Sequence, residues 1–200
     1  MAKKKYKDAE AARKARVFLV LMMVFFLSLC VWGTVRIVKG IAFDINCAAY
    51  IKRAAVANTV DLAQAQLEKA IDFAEANDLT HGIVSIFLQN PSNDIEFWFQ
   101  NMTVAYEELA NMPEEASQLE RTNVLMKLRE SLTDSGDTGS SVNIPDGISI
   151  YPHNAVFFWW AMISILGAAL FFVLWTAAYE KAIGRPIVTT APTKVTLVEK

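Results

Sequence analysis

The 200-residue sequence is poor in the residues that most often carry chemistry: it holds two histidines, two cysteines and eight scattered glycines. His81 and His153 lie far apart, and neither has a partner at a metal-ligand spacing such as His-x-x-x-His. His81 follows Thr80 near an expected helix start and His153 borders an apolar run, places suited to capping and interfacial roles. No CxxC pair, serine nucleophile elbow or glycine-rich phosphate loop is present. Asp134, Asp137 and Asp146 surround glycines in the manner of a calcium loop, but the register from Asp134 ends on Pro145, where a bidentate Glu is required. Asn101-Met102-Thr103 matches a glycosylation sequon, yet Met102 belongs to an apolar stripe. The acids Asp72, Glu75 and Asp78, and Glu107, Glu108, Glu114 and Glu115, read as solvated faces. The expectation is a non-enzymatic protein with no catalytic residue, no metal and no cofactor.

Charge is missing from two long stretches. Residues 17–35 and 155–179 carry none, and each is long enough for the roughly 20 apolar residues that a helix needs to cross a bilayer. The lipid bilayer is thus the first partner. The remaining charge is partitioned. Residues 1–16 carry a net +5, residues 39–154 hold 7 basic and 17 acidic residues (net −10), and residues 180–200 carry +2. Basic residues beside spans stay in the cytoplasm, which puts both termini inside and the acidic middle outside. The basic leader needs no nucleic acid to explain it, because a juxtamembrane cluster suits anionic lipid.

Within the first run, "FFLSLCVWG" resembles a lipoprotein cleavage box ending at Cys30. Leu29 is bulky where the peptidase needs a small residue, the apolar run continues past Cys30, and the charged leader is long for a signal peptide. An uncleaved signal anchor is expected. Cys30 then lies in the bilayer, and Cys47 stands without a partner about ten residues outside it. The position of Cys47 beside an apolar stripe suits burial in a core, and an intermolecular disulfide is the alternative. Trp32, Trp159 and Trp160 fall at the outer ends of the spans, and Trp175 and Tyr179 at the inner end of the second, as interfacial anchors do. Ser164, Gly167 and Ala168 offer a small-residue face on which the first span can pack.

The middle region reads as helical. Ile95, Trp98, Phe99, Met102, Tyr106 and Leu109 recur at helical steps, with Ser92 or Asn93 as the expected cap. Pro113 is the expected first residue of a further helix carrying Leu119, Val124, Leu125, Leu128 and Leu132 on one side. Upstream, Ala48, Ile51 and Ala55 form one stripe, and Val60, Ala63, Leu67, Ile71 and Ala74 a second. Asn58 is the expected cap between them, so residues 44–76 form one kinked helix or two. The short piece 83–88 is expected as helix, 134–143 as an unpacked Gly/Ser/Asp linker, and 148–151 as extended chain.

The predicted fold is all-α: two transmembrane helices flank an extracytoplasmic antiparallel helical bundle. Its parts are a cytoplasmic basic tail (1–16), the first span (17–38), the helical domain (39–133), a linker with a short extended segment (134–154), the second span (155–179) and a cytoplasmic tail (180–200). The expected place is a bacterial inner (plasma) membrane, and the expected role is a binding or scaffold subunit of a membrane complex, partnered by another membrane protein or by a second copy. Across 17–180, the order of span, helical domain and span resembles the input half of bacterial membrane receptors with four-helix ligand domains. That resemblance implies ligand sensing, here through a partner protein, because some 20 tail residues cannot hold a signalling domain. The tail itself is expected to be disordered, or to add a strand to a cytoplasmic partner.

Overall fold

The structure, a computed structural model, describes residues 8–136 and 139–184. Lys3, Lys4, Lys5 and Lys7 of the basic leader, Asp137 and the tail from Arg185 lie outside the described residues. Among the described residues the fold is all-α apart from one small hairpin, and two of the helices are long and apolar enough to cross a membrane. It divides into two compact units, one of residues up to Val31 together with those from Trp160, the other of Trp32–Trp159.

The first helix, α1, spans Ala9–Phe43. Asp8 caps it: its Oδ1 accepts from the Glu10 and Ala11 amides, both at 3.0 Å. Those backbone N–H groups hold the Asp8 carboxyl below its ordinary pKa. The helix does not end at the last apolar residue. It runs on through a π-helical turn, Asp44–Ala48, into α2, Ala49–Ala55. The chain then breaks, and α3 begins at Val60 and ends at Ala76. Residues 44–76 are therefore two helices, the first being an extension of α1. The Thr59 hydroxyl, rather than Asn58, caps α3 by accepting from the Leu62 amide at 3.3 Å.

Residues 83–88 are not helical. Six residues rich in β-branched side chains are too few to nucleate a helix. An antiparallel bridge between Ile83 and Asp94 instead closes a loop. Helix α4 covers Ile95–Ala110, and its cap is Asp94, whose Oδ1 accepts from the Glu96 and Phe97 amides at 2.9 and 3.2 Å. A carboxylate outdoes Ser92 or Asn93 there because it also answers the helix dipole. Helix α5, Gln118–Leu132, starts five residues after Pro113. Ser117 and Glu120 form a capping box, with each satisfying the other's backbone amide. Leu119 is consequently turned outward rather than into the core.

Expected as a linker, 134–143 instead contains a hairpin in which β1 (Thr133–Gly136) pairs antiparallel with β2 (Gly139–Val142). Gly136 pairs with Gly139 at the end of the ladder. Residues Ile148–Ile150 form a 3₁₀ turn where extended chain is expected, and α6 follows as Asn154–Ile183.

In the larger unit, α2 packs on α3 and α5, and α4 packs on the same two helices. Ile51, Leu67, Ile95, Met102 and Leu109 are its most deeply buried large side chains. Ala63, Ala70 and Ala74 are wholly buried along α3, where small residues let its neighbours approach closely. Lys127 ties α5 to Glu108 of α4 at 2.8 Å, an exposed pair worth little in energy.

Candidate functional site

The smaller unit is a pair of apolar helices whose contact is lined by small and polar residues. Ser164, buried to 1 % exposure, places its hydroxyl 3.1 Å from that of Ser28. The Trp160 indole N–H donates to the same Ser28 oxygen at 2.9 Å. One turn on, Gly167 lies against the Phe25 ring so closely that a Cβ would come within 2.5 Å of it. Phe171 stacks on Phe25 with ring centroids 5.6 Å apart. Ser164 and Gly167 therefore line the contact with α1, and Ala168 beside them is half-buried. The opposite faces carry Val20, Met23, Phe26, Leu27, Ile163, Leu166 and Leu170, all more than half exposed.

Two of the tryptophans do more than the sequence pattern suggests. Trp160 bonds Ser28 within the helix pair. In the larger unit, the Trp32 indole donates to the Phe157 carbonyl at 2.8 Å, and the Arg36 guanidinium lies 5.6 Å from the Trp32 ring centre. Lys39 stands 6.0 Å from the Phe157 ring. Trp159 is exposed, while Trp175 stacks on Tyr179 at 5.6 Å at the other end of α6. Ser28 escaped the sequence reading, although a hydroxyl in the middle of a charge-free run is the available signal.

Cys47 lies in the π-helical turn and is wholly buried, with Sγ 3.8 Å from the Ala70 carbonyl of α3. Burial pushes its thiol up to about 12, so at neutral pH it is an unreactive SH group. The sulfur is shielded from solvent in the folded domain, a core position of the kind its place beside the apolar stripe suits. His81 and His153 have separate surroundings: the His81 ring pairs with the Thr80 hydroxyl at 3.0 Å, and His153 is exposed before α6. Among the described residues, no three His, Cys, Asp or Glu side chains converge on one point.

The larger unit also holds a cavity of about 350 Å³. Pro91 and Ser92 precede α4 on one side, Phe97, Trp98 and Asn101 come from α4, Ser131 and Leu132 end α5, and Asn143 and Pro145 follow the hairpin. It combines an aromatic wall with hydroxyl and amide groups, the usual composition of a small-ligand pocket. Asp94 also lines it, but its Oδ1 is engaged in capping α4. Phe97 is 59 % exposed at the rim, and Val104, seven residues on along the same helix face, is 61 % exposed. Both stand off the buried stripe of α4, and a large apolar residue out of register with a stripe is the signal by which this face can be found.

Neither a protein-family model, nor a curated protein, nor a solved structure matches the chain.

Proposed function

We propose that the chain is an integral membrane protein that spans the bacterial inner membrane twice, with both termini in the cytoplasm and its acidic domain outside as an antiparallel helical bundle. The charge partition supports the orientation. Insertion is supported by the outward faces of the two long helices, which carry bulky apolar side chains and enclose hydroxyl groups, the arrangement suited to lipid. On this reading the protein is a non-enzymatic binding subunit. The observation that carries the role is the cavity of about 350 Å³ beside the exposed Phe97 and Val104 of α4, a concave apolar patch with polar groups on a domain held at the membrane. A membrane protein or a second copy of the chain would dock there. Crosslinking the full chain in native membranes is expected to capture a specific partner, and Phe97→Asp with Val104→Asp is expected to lose it. Recovery of the same material from the double variant overturns the reading.

The polar lining of the cavity also favours the second reading, ligand sensing through a partner. In that case a small molecule raises the melting temperature of the full chain in nanodiscs, and Asn101→Leu removes the shift. A response unchanged by Asn101→Leu sinks it.

A further inference from the structure

The loop that leads into α4 sets exposed apolar residues on a fixed base. From Gly82 to Asn93 it has no charged residue, and its apolar members divide sharply. Val84 is buried at 4 %, whereas Phe87 is 66 % and Leu88 81 % exposed, with Ile86 at 38 %. The base is fixed. The Val84 amide donates to the Asn93 carbonyl at 3.0 Å and the Ile95 amide to the Gly82 carbonyl at 2.9 Å. Gly82 itself sits at φ +105°, where a Cβ would strike the Tyr151 hydroxyl, so the loop leaves the domain along a set direction. At the far end the Asn90 side chain accepts from the Ser92 amide at 3.3 Å and shapes the return.

What covers the tip follows from its neighbour. The Phe87 ring meets the Phe158 ring edge-on, with centroids 5.0 Å apart, and Phe158 in turn meets Trp159 at 5.3 Å. Phe158 lies four residues into α6 from Asn154, about 6 Å of helix rise. That is inside the charge-free run 155–179, within the 5–10 Å that interfacial side chains sink below the headgroups. An aromatic residue in contact with Phe158 is at the same depth.

We infer that the 86–88 tip is a membrane-inserting loop: Ile86, Phe87 and Leu88 enter the outer leaflet beside α6 and hold the domain against the bilayer at a third point. The inference rests on the proposed insertion of α6, and its partner is the lipid surface itself. The absence of charge at the tip fits that partner, since the rest of the domain is strongly acidic and would be held off anionic headgroups.

Nitroxide labels test it in the full chain reconstituted in nanodiscs of phosphatidylcholine and phosphatidylglycerol. Cys30→Ala removes the cysteine in the span, and Cys47 is buried beyond the reach of the reagent. Labels are then placed by Leu88→Cys, by Leu166→Cys in the middle of α6, and by Leu119→Cys on α5. The expected result is that labels at 88 and 166 collide more with oxygen than with a water-soluble nickel chelate, while 119 shows the reverse. If 166 reports lipid but 88 behaves like 119, or is shielded from both agents as in a protein contact, the loop inference fails alone. If 166 reports water, membrane insertion fails with it.

Discussion

The two units of this chain solve the burial problem in opposite senses. In the larger one, Ile51, Leu67, Ile95 and Met102 fill the interior, and Lys, Glu and Asp side chains occupy the surface. In the smaller one, Ser28, Ser164 and Gly167 face inward beside the Phe25 and Phe171 rings, and bulky apolar side chains such as Val20, Phe26, Leu27, Ile163 and Leu166 point away from the contact. In water the second arrangement is unfavourable, because each exposed leucine or phenylalanine leaves roughly 1.5–3 kcal/mol of burial free energy unused. In hydrocarbon the solvent is as apolar as the side chains, and helices associate through close approach and hydrogen bonds. On the proposed insertion, the contrast is between two solvents as much as between two folds.

The largest effect that separates the units comes from truncating apolar side chains. Leu67→Ala opens a hole in a wholly buried site and is expected to destabilise the larger unit by about 2–5 kcal/mol. Leu166→Ala, at an exposed position of α6, is expected to change stability by no more than about 0.5 kcal/mol. Denaturant titration of the reconstituted chain measures both. Equal costs would dissolve the distinction. Adding bulk should reverse the ranking: Gly167→Leu drives a side chain into the Phe25 ring and is expected to cost about 1–3 kcal/mol. Phe25→Ala in the same chain should restore part of the loss by vacating that space, whereas additive costs would show that the two residues do not meet.

These sites differ in how far the sequence discloses them. The two apolar runs and the stripe Ile95–Trp98–Met102–Leu109 are visible because burial repeats at a helical period, and all four of those α4 residues are buried. The continuation of α1 through Asp44–Ala48 into α2 leaves no such trace, since the charges of Arg36, Lys39 and Asp44 end the apolar run without interrupting the helix. Capping residues shift by one or two positions because Thr59 and Asp94 compete with the neighbouring Asn58 and Asn93 for the same amides. The cavity is built by segments distant in sequence, such as Ser131 and Asn143 with Phe97, which periodicity does not encode. The burial of Cys47 lay among the alternatives that its stripe position allowed, and the structure places its sulfur against α3.

That burial supplies the next prediction, of intermediate size. The Cys47 thiol titrates near 12 in the folded domain and near 9 when unfolded. Between those values the unfolded chain binds fewer protons than the folded one, so stability falls as pH rises, by about 1.4 kcal/mol per pH unit from this group. Below pH 9 the group contributes no slope. Cys47→Ala removes this thiol's share of the alkaline loss, at a cost in packing that is independent of pH. Comparing alkaline unfolding of the two chains checks it, and parallel pH profiles above pH 9 would exclude the buried thiol as the source.

The smallest expected effect probes the polar inside of the apolar pair. Ser28→Ala deprives the Trp160 indole of its acceptor at 2.9 Å and the Ser164 hydroxyl of its neighbour at 3.1 Å. In water an orphaned buried donor costs about 1–3 kcal/mol, but hydrogen bonds between membrane helices average only about 0.6 kcal/mol and reach about 1.7. The difference arises because separated helices in lipid find other partners for the same groups. A Ser28→Ala cost near 0.6 kcal/mol, with a measurable coupling to Ser164→Ala in a double-mutant cycle, fits a pair of helices in hydrocarbon. A cost of 3 kcal/mol or more would instead mark the pair as the core of a water-soluble protein, because only there does the broken bond lack a substitute.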